Sequence, residues 1–375
     1  MRKKQSLFTA ISCIIIVMLF VGCINEQIAP PQSPDVAPLE VPKEIKQELD
    51  ENLIVDAIVK VPANLPSEAY KYIASFFIVD TDTVFQNLFA NEEIINQIKN
   101  PPEDGTNKMN TYYTSKEGSS LLCGAASISY AASLGHKVLE AFRPEYSYGF
   151  FGGDENYNAD QFLKDKSLSF RQIDDAASEV RNLINGWGID LYSEGDAYTL
   201  DFQTLEEQHK IISNEAYEDL PKRNWSIEDD CYYFSFSQAI DNIPVSFIEH
   251  GNPDDGSSTV GTKIKAIISS GGIQYLECSC AYRPVENSKE SVKLISVEDA
   301  LSTVKKKYAN IIVSPEIRIT SIEFCYVPCK RNKSDNDFEL IPAWVFKAEQ
   351  ADENYENLIS LNYVIVNAET GEEIL

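Results

Sequence analysis

Histidine is scarce in this chain, with three residues in 375: His136, His209 and His250. None adjoins a cysteine, and His136 in L-G-H-K-V-L and His250 in E-H-G-N stand alone. A zinc knuckle needs two pairs of ligands on turns, and a serine or cysteine hydrolase needs a base held against its nucleophile. Neither has its parts here. The nucleophile elbow G-x-S-x-G, the metalloprotease H-E-x-x-H, the phosphate loop and the dinucleotide fingerprint G-x-G-x-x-G are absent as well. Cys123, in G-S-S-L-L-C-G, sits in an apolar run that reads as core rather than as a nucleophile. An enzyme is not expected, and no cofactor is implied.

Basic residues are also few, 32 Lys and Arg against 58 Asp and Glu, for a formal charge of −26. Such a surface repels nucleic-acid phosphates and anionic headgroups, so a nucleic-acid partner is excluded. It attracts cations and basic partners instead.

The chain lacks an apolar run long enough to span a bilayer, which takes about 20 residues. Its longest, Leu7 to Gly22, has 16 and follows the basic Arg2, Lys3 and Lys4. That is the build of an export signal over residues 1–22. Gly22-Cys23 resembles a bacterial lipobox, in which the cysteine is acylated and the preceding peptide removed. The departure is Phe20, where the pattern prefers Leu, here displaced to Leu19. Losing three basic residues with the signal takes the charge from −26 to −29. The expected site residue is therefore Cys23, the expected anchor a lipid bilayer, and the expected location the extracytoplasmic face of the cell membrane. Pro30, Pro31, Pro34, Pro38 and Pro42 make residues 23–52 read as an extended tether.

Past Cys13 and Cys23 lie Cys123, Cys231, Cys278, Cys280, Cys325 and Cys329. The pairs C-S-C and C-Y-V-P-C fall in strand-like runs, where even spacing would put each pair on one face. Buried thiols, cross-strand disulfides and, least supported, a metal site remain open. The loop GGDENYNADQFLKD carries Asp154, Asn156, Asn158, Asp160 and Asp165 at positions 1, 3, 5, 7 and 12 of an EF-hand-like frame. Ala159 stands where that frame wants Gly, and Asp165 where it wants Glu. A solvated loop is the reading, with calcium as the alternative.

The rest alternates strand-like runs with a few helices. Asp80 or Asp82 caps a helix whose apolar stripe runs from Val84 to Ile98. A second helix covers IDDAASEVRNLINGW, and FQTLEEQHKIISNEAY reads as a third. The clearest is SVEDALSTVKKKY, with Ser296 as N-cap and Val297, Ala300, Leu301, Val304 and Tyr308 as its stripe. IPAWVF and NYVIVNAETGEEIL follow as strands with a turn at Gly371. The fold class is α+β: antiparallel sheets, each packed by one or two helices, in two modules over residues 53–217 and 218–375.

The S-x-E-D-A helix, the P-A-W strand and the closing N-A-E-T-G-E resemble the PepSY-type module. They also resemble the YycH and YycI group of extracytoplasmic regulators in Gram-positive bacteria. The chain as a whole resembles Gram-positive lipoproteins whose domain has no assigned function. The resemblance covers residues 296–375 best and brings no catalytic residues. It implies a binding or regulatory role in which the protein docks another extracytoplasmic protein, such as a sensor-kinase ectodomain or a peptidase. A solute- or cation-binding lipoprotein is the alternative, and a cell-wall hydrolase comes third.

Overall fold

The chain builds two large sheets from strands that are mostly not neighbours in sequence. A computed structural model describes residues 38–100, 110–124, 126–144, 157–215, 221–251, 258–309, 315–331, 336–351 and 359–374. The stretch expected to be an export signal, Cys23, Asp154 and Asn156 lie outside them.

The first sheet runs in the order β1 (Glu44–Asp50), β2 (Leu53–Lys60), β18 (Ile317–Lys330), β19 (Phe338–Ala351), β20 (Ile359–Asn367) and β21 (Glu373–Ile374). Beside it, β3 (Glu68–Phe76) pairs with β19, β16 (Tyr282–Pro284) and β17 (Glu290–Lys293). Among its named strands in the described residues, β2 with β18 is the parallel pairing and the others are antiparallel. The second sheet runs β4 (Ile94–Asn100), β5 (Asn110–Ser115), β6 (Ser120–Cys123), β7 (Ser127–Ala131), β15 (Gly272–Ser279), β14 (Lys263–Ser269), β10 (Cys231–Ile240), β9 (Leu191–Leu200) and β8 (Leu163–Lys164). A short β11 (Ile243–Pro244) folds back on β10, and β12 (His250–Gly251) pairs with β13 (Ser258–Thr259).

The α+β class therefore holds, but the sheets do not follow the halves 53–217 and 218–375. Both ends of the chain make the first sheet and its middle makes the second, so β9 and β10, on either side of residue 217, are hydrogen-bonded neighbours. The reason is the parallel β2–β18 contact, which joins residues more than 250 positions apart. Local periodicity carries no trace of such a pairing. Residues 37–375 form a single compact unit. Part of the stretch expected as a tether, 23–52, is folded: β1 within it pairs along β2, and Ile45 and Leu49 lean on the core.

Helices are shared unevenly. In the first sheet α5 (Val297–Tyr308) lies on a core containing Leu53, Ile319, Phe324, Trp344, Phe346 and Val364. All five residues of its stripe are buried, and Ser296 Oγ accepts from the Asp299 amide at 3.1 Å. Gly371, at φ +76°, closes the last turn, and its carbonyl accepts from Thr303 Oγ1 of α5 at 2.7 Å. Among the described residues the second sheet carries four α-helices. On one face α1 (Thr81–Leu88) and α3 (Ile173–Gly186) pack Val84, Ala176, Val180 and Ile184 against Tyr232, Phe234 and Ile264. On the other, α2 (Ser133–Leu139) and α4 (Phe202–Glu215) bring Val138 and Leu205 to Tyr233 and Ile267.

α1 departs from expectation at its far end. Asp80 does cap it, accepting from the Thr83 amide at 2.9 Å, but the helix stops at Leu88. Ile94, Ile95 and Ile98, expected on its stripe, form the edge strand β4 instead. Their spacing fits a helix, yet paired β-branched residues also favour strands, and the free β5 edge decides between them.

Candidate functional site

β4 is an edge strand that pairs with β5 alone among the described residues. Every residue from Ile94 to Lys99 is exposed, with Ile94 at 43%, Ile95 at 63% and Ile98 at 46%. A bulge falls between Ile94 and Asn96. Long exposed strands with apolar side chains and free amides are ready templates for another chain.

Register extends the edge into an open row across the second sheet. Ile98 lies opposite Tyr112, then Leu122, Ser129, Glu277, Lys265, Ser235 and Asp196 on successive strands. Alternation puts this row on the face that carries α2 and α4. The helices cover the next row, Tyr233, Ile267 and Tyr275, and leave this one half-buried or exposed. Its outer end is apolar, with Tyr112 39% exposed and Leu122 partly buried. Its centre is ionic. Lys265 Nζ stands 3.7 Å from Glu277 Oε2, to which Tyr275 donates at 2.8 Å, and Lys164 pairs with Asp196 at 2.8 Å.

A second polar cluster sits where α2, α4 and residues 221–230 meet. Lys137 Nζ lies 4.3 Å above the Trp225 ring and pairs with Asp229 at 2.8 Å. Arg223 grips Glu140 with two nitrogens, at 2.7 and 2.5 Å. His209 Nδ1 accepts from the Trp225 indole at 3.3 Å, and His209 Nε2, buried, has no partner. These contacts fasten α2, α4 and residues 221–230 together.

Burial pushes the His209 imidazole below its ordinary value. The folded protein then binds fewer protons there than the unfolded chain. The stabilisation is complete above the unfolded value of about 6.5 and is lost as pH falls through the folded one. An NMR titration should place the His209 midpoint below about 6.5; a midpoint at or above it would contradict this burial.

The EF-hand frame does not come together at the residues described. Asn158 is 6% exposed and its amide is spent on the fold: it accepts from the Arg143 amide at 2.7 Å and donates to Ala141 O and Gln208 Oε1. Asp160 falls in a short 3₁₀ turn, and Asp165 is exposed at φ +56°. Among the described residues no three of His, Cys, Asp and Glu gather as a metal group.

The six cysteines among the described residues are free thiols. Cys278 and Cys280 do not share a face: Cys280 has φ +54°, so the strand ends between them and they enter different cores. Cys325 and Cys329 do pack in one cluster, beside Val327 and Val345. Burial pushes Cys123, Cys278 and Cys329 up to about 12, so their thiols stay protonated near neutral pH. A shallow recess lined by Phe77, Ser127, Ile128 and Cys278 holds about 220 Å³, its mouth included. That is small beside the ~300–1,000 Å³ of ordinary ligand pockets.

No family model matches the chain, and no curated protein is similar to it. A solved structure is similar: an uncharacterized protein from Eubacterium rectale, at 16% identity and a TM-score of 0.68. The match covers 89% of this chain and 94% of that one. At that identity the likeness shows a shared fold, spanning nearly the whole of both chains.

β4 is the part of the candidate site that sequence reasoning missed. A signal was present: IINQIKN has consecutive isoleucines and follows the helix-ending A-N-E-E.

Proposed function

We propose that this protein is a lipoprotein anchored through Cys23 on the extracytoplasmic face of the membrane, where it docks another cell-surface protein without catalysing a reaction. The observation that carries the docking part is the exposed β4 edge, continuous with the open row from Ile98 to Asp196. The occupant is an extended segment of a partner that carries basic side chains. It adds to β4 through main-chain hydrogen bonds, drawn in by the net negative charge of the chain. Charge argues for this choice: a second copy of the processed chain would bring a further −29 to the interface, whereas a basic segment is drawn to it. The tether is a poor occupant, since Pro30, Pro31 and Pro34 lack the amides an added strand donates.

Crosslinking on intact cells, followed by identification of the adduct, tests this reading. A protein joined near β4 is the expected outcome. A small molecule copurifying with no protein adduct would favour the solute-binding alternative.

A further inference from the structure

A group of aromatic and charged side chains lies at the seam between the two sheets, away from β4. Asp241 and Asn242 form the two-residue turn joining β10 to β11, at φ +49° and +62°, with Ile240 paired to Ile243. Both φ values are positive, as the tight primed hairpin turns require. The turn extends the Asp241 carboxylate from the second sheet toward β3 of the first, where Tyr72 donates its hydroxyl to Asp241 Oδ2. The same oxygen accepts from Lys289 Nζ at 3.1 Å. That ammonium stands 3.8 Å from the centre of the Tyr70 ring and 5.9 Å from that of Tyr72. Behind them Tyr326, fully buried and edge-on to Tyr72 at 5.9 Å, has a hydroxyl with no hydrogen-bond partner.

Two aromatic faces and a carboxylate around one ammonium are the chemistry by which proteins hold alkylammonium ligands. Here the cation comes from the protein itself. Lys289 contributes little else: its side chain is 46% exposed, and it ends a surface turn in which Asn287 takes φ +62°. The frame around it is firmer, since Tyr72 is buried on β3 and Asp241 is fixed by a hairpin turn.

We infer that Tyr70, Tyr72 and Asp241 form a binding site for a primary or methylated alkylammonium, such as a lysine side chain of a partner, and that Lys289 fills it in cis. As a tethered competitor Lys289 acts at an effective concentration of millimolar or more, so a free ammonium enters only when Lys289 is removed. A lysine on a partner that touches the rim at other points displaces it more readily. The acidic surface concentrates such cations around the chain.

The test uses the full chain labelled with ¹³C-tyrosine, the variant Lys289→Ala, and butylammonium and tetramethylammonium chlorides as probes at constant ionic strength. In Lys289→Ala the Tyr70 and Tyr72 ring signals should shift saturably. Wild type should need at least tenfold more probe for the same shift, and adding Asp241→Asn to Lys289→Ala should abolish saturation. Linear shifts of equal size in all three proteins would overturn the site, as would saturation that survives Asp241→Asn. If Lys289→Ala does not fold, Lys289→Ser opens the same space and is read by the same outcomes. Neither probe reports on β4, so failure here leaves the docking proposal standing, and the reverse holds too.

Discussion

Trp344→Ala is expected to lower the melting temperature by roughly 4–7 °C. The estimate takes about 3–5 kcal/mol for truncating a buried aromatic and about 2 cal/mol/K of unfolding entropy per residue. Three observations place the indole in the core. It is fully buried, its Nε1 donates to Ile295 O at 3.2 Å, and it stands edge-on to Phe324 at 5.1 Å. Ile295 in turn donates its amide to Ala368 O at 2.8 Å, which ties the start of α5 to the turn after β20. The loss therefore removes packing and leaves a carbonyl without its donor. IPAWVF is a central strand covered by α5, so the same change should leave partner capture intact at temperatures where the variant is folded. A melt within a degree of wild type, with capture lost, would move the docking surface from β4 to IPAWVF.

Cys23→Ser is expected to abolish incorporation of radiolabelled fatty acid and to release or misprocess the chain. A hydroxyl cannot form the thioether that a lipobox cysteine carries, and a lipid chain gains about 0.8 kcal/mol per buried methylene. Two chains therefore hold a protein to a membrane where the tether alone cannot. The effect is close to all-or-none, since no other cysteine stands in a lipobox-like context. Label that persists in Cys23→Ser would show that the anchor lies elsewhere.

What the sequence reveals is local. Ser296 as an N-cap, the buried stripe of α5 and the positive φ of Gly371 each follow from residues within a few positions of one another. The sheets do not, because β2 meets β18 and β3 meets β19 across most of the chain, and either pairing is compatible with the same alternation. β4 was misread because Ile94, Ile95 and Ile98 satisfy helical spacing, while the edge that recruits them as a strand, β5, is itself a tertiary feature. Asn158 departs in another way. The run of Asn and Asp reads as a solvated loop, with a cation as the alternative, but the Asn158 amide is buried and supports the chain between α2 and α4. The Lys289 site has no sequence signature, since Tyr70, Asp241, Lys289 and Tyr326 come together only through the seam between the sheets.

The docking claim is tested most directly by a photoreactive residue at Asn96, on the exposed β4 edge, with a control at Ile58, an exposed position on β2 (63%) away from it. Illumination of intact cells should yield one protein adduct from position 96 and none from position 58, and Gln97→Pro, which removes an amide from β4, should abolish the adduct while the chain stays folded. No adduct from position 96, or an adduct indifferent to Gln97→Pro, would contradict it.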